Sequence, residues 1–274
     1  MHQCLQIKLV RMTFILLLLV WLSGCATVSQ QTEQESGVSS SKSTSSESAK
    51  KDEIKGTLLI FSEREPGSES YTSRVFVSKK YMHISDSYAP ADFILFNREN
   101  KTIYNVTQED KLIFVIHNKP QHIESPIKIN LREESEPSAA IPKVAGRQAR
   151  HYRLFVNGKR CYDSVVLGED FLPDVLAAMR EFRLVLANEH ATTVNAIPKD
   201  MLDACDLSIN VFNPIKHMEH GLPIREWDTR GYQRFLKDYR EGVTEPASVF
   251  ELPKDFQQYT AKDVPSMIRD SRSF

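Results

Sequence analysis

Two pairs of side chains and one acidic run have the types and spacing that could do chemistry. Cys161 and Cys205 could form a disulfide or, beside a base, supply a nucleophile. Which of these applies depends on the compartment the chain reaches. His217 and His220, in the run His217-Met218-Glu219-His220, stand three residues apart and on one helical turn could share a metal. Such a site needs at least one further ligand, and the His-Glu-x-x-His zinc pattern does not occur. Histidines near a helix end also suit the negative pole of its dipole, and that reading is adopted for the pair. Carboxylates are plentiful but scattered, and Arg132-Glu133-Glu134-Ser135-Glu136 reads as a solvated loop. There is no Gly-x-Ser-x-Gly elbow, no phosphate-cradling glycine loop and no dinucleotide fingerprint, and 10 glycines in 274 residues leave little room for one. The expectation is a protein without catalytic residues, metal or cofactor: not an enzyme.

Composition narrows the partners. Lys plus Arg number 35 against 36 Asp plus Glu, a formal net charge of −1, and 41% of residues are apolar. That suits a soluble globular domain and excludes a fully disordered chain or a multi-span membrane protein. Without a basic surplus there is no electrostatic case for nucleic acid. Four cysteines are too few for a disulfide-built miniprotein.

The N-terminus carries the clearest signal. Lys8 and Arg11 precede an apolar run of eleven residues (12–22, MTFILLLLVWL), and no acid occurs before Glu33. As a helix the run would reach about 16 Å, roughly half of a ~30 Å hydrocarbon core. It therefore reads as an export signal rather than a span. Leu22-Ser23-Gly24-Cys25, directly after it, resembles the bacterial lipobox. The resemblance implies cleavage before Cys25, lipidation of its thiol and partnership with a membrane. Each buried methylene of such chains adds about 0.8 kcal/mol, so several chains anchor durably. Ala26, where an Asp would favour inner-membrane retention in the enteric sorting rule, implies the outer membrane, facing the periplasm. With Cys4 removed and Cys25 acylated, Cys161 and Cys205 become an even pair in an oxidising compartment. They are read as a disulfide between a strand and the second helix.

Residues 26–54 are serine-rich and lack aromatic residues, so no apolar face offsets the entropy of ordering them. They read as a tether of about 30 Å root-mean-square span. The expected organisation is signal peptide 1–24, lipidated Cys25 and tether 25–54, one domain 55–260 and a loose tail 261–274.

From Lys55 the pattern turns to short alternating strands: 57–62, 72–78, 81–85, 92–97, 102–107 and 112–117. Four-residue polar turns at 98–101 and 108–111 make these an antiparallel meander. A further strand is expected at 127–131, then a loop over 132–140. Asn157-Gly158 is a hairpin signal between strands 148–156 and 159–167, because both turn positions need positive φ. The period then becomes helical: Leu172, Leu176, Met179, Phe182 and Leu186 stripe a helix over 170–188, with Glu169 or Asp170 placed to cap it. A second helix from Pro198 would carry Met201, Cys205, Ile209 and Phe212 on one side and break at Asn213-Pro214. A hairpin (222–228 and 232–239), a helical turn at 246–250 and a short strand at 256–260 close the chain. The class is α+β: an antiparallel open sheet or half-barrel with a helical lid.

The run Phe96-Asn97-Arg98-Glu99-Asn100-Lys101-Thr102-Ile103-Tyr104 followed by Asp110-Lys111 resembles the paired-strand signature of a domain of unknown function in proteobacterial envelope proteins. Gly221-Leu222-Pro223-Ile224-Arg225 and Val249-Phe250-Glu251-Leu252-Pro253 are similar to that group as well. The order of strands, helices and strands also resembles the LolA/LolB-like half-barrel, an incomplete barrel whose concave face holds helices and, in characterised relatives, acyl chains. The likeness spans residues 55–260 and assigns no functional residue. It implies a membrane-anchored lipoprotein that binds a lipid or another apolar ligand without catalysis. The alternative is a structural or protein-interaction lipoprotein working through loops such as 132–140.

Overall fold

The computed structural model describes residues 52–138 and 141–264. The export signal, Cys25, most of the tether and the end of the tail lie outside the described residues. The described residues form one compact unit.

The strands are β1 (Glu53–Arg64), β2 (Tyr71–Val77), β3 (Tyr81–Asp86), β4 (Phe93–Asn97), β5 (Thr102–Thr107) and β6 (Leu112–His117), then β7 (Leu131–Pro137), β8 (Arg150–Val156) and β9 (Lys159–Leu167). After the helical segment come β10 (Leu222–Asp228), β11 (Gln233–Pro246) and β12 (Gln257–Tyr259). They make one unclosed sheet of order β12-β6-β5-β4-β3-β2-β1-β11-β10-β9-β8-β7. Every neighbouring pair is antiparallel except β12, which runs parallel to β6.

Strict alternation builds two cores on the first strands. Leu59, Phe61, Val75, Val77, Met82 and Phe96 point to one face. Leu58, Phe76 and Leu95, each one residue out of step, point to the other. The four-residue turns close on Lys101 and Lys111, both left-handed at φ 54° and 51°. In the first of them the Asn97 side chain accepts hydrogen bonds from the amides of Glu99 and Asn100. Asn157 and Gly158 both have positive φ, as a tight hairpin turn demands.

Several expectations need correction. The acidic run after residue 131 is not a loop but the edge strand β7, and residues 127–130 form no strand. Two of its acids face a basic neighbour: Glu134 lies opposite Arg153 and Glu136 opposite His151, and Arg153 also bonds Glu136. Charge pairing across the ladder replaces apolar alternation, and charges on an edge also discourage further pairing. The seam between β1 and β11 is longer than expected, reaching from Arg64 opposite Gln233 to Glu53 opposite Pro246. Its polar end has no apolar alternation to betray it. Finally, the second helical segment is not one helix. A 3-10 turn at Lys199–Met201 ends before Asp203 caps the amide of Asp206 and starts α2 (Ala204–Leu207) afresh. A wide π turn, Ser208–Phe212, follows, and Met201 is left exposed.

Helix α1 (Pro173–Ala191) starts on Pro173 after a left-handed Leu172. Neither expected cap serves: Glu169 pairs with Arg180 and Asp170 with Arg147. The buried face is broader than the expected stripe, adding Val175, Ala178 and Val185 to Leu176, Met179 and Phe182. It packs on the first-face core of the sheet, where each fully buried large apolar side chain contributes about 1.5–3 kcal/mol. The Arg98-to-Lys101 turn locks the helix from the side, since Arg98 and Lys101 both reach Glu181 at 2.9 and 3.0 Å. Those contacts hold the Glu181 carboxyl below the ordinary range although its burial opposes them.

The second face is covered by the chain end. Phe250, from the 3-10 turn Ala247–Phe250, lies against Phe76, Tyr81 and His83. Gly221 lets the chain enter β10: its φ is +132°, and a Cβ there would stand 1.8 Å from the Leu167 carbonyl oxygen.

Candidate functional site

On β1 the alternation that buries Leu59 and Phe61 continues to Glu63, so a carboxylate takes the next inward position. Register carries the row across the sheet. Arg234 lies opposite Glu63 and Glu226, and Ser164 lies opposite Glu226. All four are buried; Glu63, Glu226 and Arg234 are 3%, 4% and 8% exposed.

Arg234 is the hub. Its Nε is 3.6 Å from Glu63 Oε1, its Nη1 is 3.4 Å from Glu226 Oε2, and its guanidinium lies 3.6 Å over the Phe61 ring. Ser73 donates its hydroxyl to Glu63. From above, the 3-10 turn Lys216–Met218 lowers His217 onto the row, with Nε2 3.6 Å from Glu226 Oε1. Ser164 seats that turn by donating to the His217 carbonyl at 3.1 Å. Tyr162 meets the His217 ring edge-on at 5.3 Å. Arg183 of α1 holds the preceding residues by donating to the Ile209 carbonyl at 3.0 Å.

The row is incompletely satisfied. Glu63 Oε2, Glu226 Oε1, His217 Nδ1 and Arg234 Nε are buried and make no hydrogen bond among the described residues. Burial raises the Glu63 carboxyl despite Arg234 and Ser73. It raises the Tyr162 hydroxyl well above its ordinary range, with Glu226 adding to the effect. Burial also pushes His217 well below the usual imidazole range, helped by the positive charge of Arg183. The result is a set of converging donors and acceptors at the end of an apolar core, able to hold a polar group out of water.

The same effect sets a pH dependence. Burial lowers His83 and His190 to about 4, alongside His217. Below about pH 6.5 the unfolded chain takes up protons that the native state refuses, so stability present above that pH is lost as pH falls. Glu63 acts oppositely, since its raised pKa favours the native state at low pH and that contribution is lost as pH rises through the folded value. Three histidines outweigh one carboxyl. Urea midpoints are expected to be lower at pH 5.0 than at pH 7.5; an equal or higher midpoint at pH 5.0 contradicts this assignment.

Of the residues singled out in sequence, Cys161 on β9 and Cys205 on α2 are joined in a disulfide, their Cα atoms 5.4 Å apart. Cys25 lies outside the described residues. His217 and His220 do not converge, and no long helix carries them, so the helix-dipole reading fails. His217 points into the row, while His220 lies at the surface with Nε2 2.7 Å from Glu133 Oε1. The row itself was missed. Its one legible trace was Glu63, an acid standing where the period of two places an inward side chain.

A separate pocket of about 200 Å³ opens on the second face, lined by Leu58, Arg74, Phe76, His83, Ser85, Glu245 and Val249. Arg74 and Glu245 pair across it at 3.7 Å.

No protein-family model and no curated protein matches the chain. Among solved structures, an uncharacterized conserved protein from Thermus thermophilus aligns with a TM-score of 0.39 and 12% identity, over 76% of this chain and 91% of that one. PNGF-II aligns with a TM-score of 0.38 and 11% identity, over 80% of this chain and 33% of that one. MucB aligns with a TM-score of 0.34 and 9% identity, over 74% of this chain and 59% of that one. These distant likenesses carry no function over to this chain.

Proposed function

We propose that this protein is a non-catalytic binding lipoprotein of the cell envelope, anchored by acyl chains on Cys25 to the outer membrane, whose ligand is an amphipathic lipid. The polar head of the ligand sits at the Glu63–Arg234–Glu226 row, and its apolar part lies along the first face of the sheet. In this reading α1 and the segment from α2 to Gly221 form a lid.

One observation carries the reading: a buried charged row, with His217 above it, borders an apolar core, and four polar atoms of this group make no hydrogen bond among the described residues. Each such atom costs about 1–3 kcal/mol, and native proteins keep such groups where something completes them. Met82, Met179 and Met218 in the adjoining core are side chains that repack readily around a guest.

Native mass spectrometry of the full-length lipoprotein, with lipid extraction of the same sample, tests this. A non-covalent lipid-sized adduct is expected on the wild type, reduced in Glu226→Gln and retained in Glu134→Gln on the exposed edge strand. A wild type with no adduct and no extractable lipid beyond the covalent anchor defeats the proposal. The second reading, a structural or protein-interaction lipoprotein, draws on the tight filling of the first face, where Leu59, Phe96, Ile103 and Leu222 are 0–1% exposed. It predicts an empty interior together with one dominant crosslinked protein partner in cells.

A further inference from the structure

Three ligand-type side chains meet where the edge strand β7 passes the turn before β10. Glu133 comes from β7, while Glu219 and His220 follow the Lys216–Met218 turn. His220 Nε2 is 2.7 Å from Glu133 Oε1 and 3.9 Å from Glu219 Oε2. One donor atom from each of the three residues can be chosen so that all lie within 4.8 Å of one another. Donor atoms around a tetrahedral zinc ion with bonds of 2.0–2.1 Å are about 3.4 Å apart, so small side-chain rotations suffice.

The imidazole is held in place rather than merely exposed. Its ring stacks on Tyr152 of β8 at 4.3 Å between centroids and 8° between planes. Glu133 is partly buried, its side chain 20% exposed. Lys216 supplies the positive charge the carboxylates need, with Nζ 3.5 Å from Glu133 Oε2 and in direct contact with Glu219. An ammonium thus stands where a cation would bind.

From this arrangement we propose that Glu133, Glu219 and His220 form a binding site for a zinc-type divalent ion, with Lys216 as its built-in competitor. One imidazole with two carboxylates suits zinc, whereas magnesium and calcium prefer oxygen-only shells. Bound metal clips β7 to the turn that enters β10 across a sequence separation of 87 residues. This proposal does not rest on the lipid-binding reading, although the Lys216–Met218 turn serves both places.

Isothermal titration of the full-length protein with zinc chloride, in detergent at pH 7.4, decides the matter. The wild type is expected to bind one equivalent, with magnesium unable to compete. His220→Ala and Glu133→Gln are each expected to weaken binding by about 10- to 100-fold or more. Lys216→Met, which removes the competitor and leaves the ligands, tightens it several-fold. Circular dichroism and urea midpoints of each variant establish that it is folded. No binding to the wild type overturns the proposal, whatever Lys216→Met does. Zinc affinity unchanged in folded His220→Ala overturns it equally, as does weaker binding in Lys216→Met.

Discussion

Replacing Arg234 by Met lowers the free energy of unfolding by about 3–5 kcal/mol, the range for breaking a buried ion pair from one side. Arg234 is the cation facing both Glu63 and Glu226 in the row. Methionine matches much of its length and keeps contact with Phe61, so loss of packing is small and the effect is electrostatic. Glu63, whose carboxyl burial already raises, would then face the core without its opposing charge. The double variant Glu63→Gln with Arg234→Met is therefore expected to recover part of the loss, because it removes one of the stranded charges. Urea unfolding of the single and double variants measures both effects. A change below about 1 kcal/mol in the single variant would mean that the row is solvated and not buried as described.

The second large effect belongs to the Cys161–Cys205 bridge. It closes a loop with a sequence separation of 44 residues, for which the chain-entropy model gives about 4 kcal/mol; about 2–4 kcal/mol is usual in practice. Replacing both cysteines by serine, or unfolding in the presence of reductant, should lower stability by that amount. The loss extends beyond loop entropy, since Cys205 anchors the start of the segment that carries His217 to the row. In the serine variant, amide exchange is expected to quicken through residues 205–221 before it quickens in β1 or β11. Equal urea midpoints with and without reductant would show that the bridge contributes nothing.

Much of the scaffold was legible because its causes are local. The period of two in β1 to β6, the polar four-residue turns, Asn157-Gly158 and the apolar face of α1 all depend on residues within a few positions of one another. The run at residues 96–104 finds a structural explanation: Asn97 shapes the turn, and Arg98 and Lys101 hold α1 through Glu181. Neither cation is drawn into the buried row. The β7 strand was illegible because it is charged and lacks apolar alternation, and its acids acquire meaning as a strand only opposite Arg153 and His151 on β8.

By itself, then, the sequence determined a chain with a strand-rich body, an apolar helix face and an even pair of thiols that could bridge. Only the tertiary structure decided which charges are buried. Glu63, Glu226 and Arg234 are separated by up to 171 positions in the chain but become neighbours across β1, β11 and β10. The same folding turns His217 inward to that row and His220 outward to Glu133. Burial and pairing are long-range properties: a carboxylate on a strand looks the same in sequence whether water or a guanidinium lies opposite it, and its energy differs by several kcal/mol between the two.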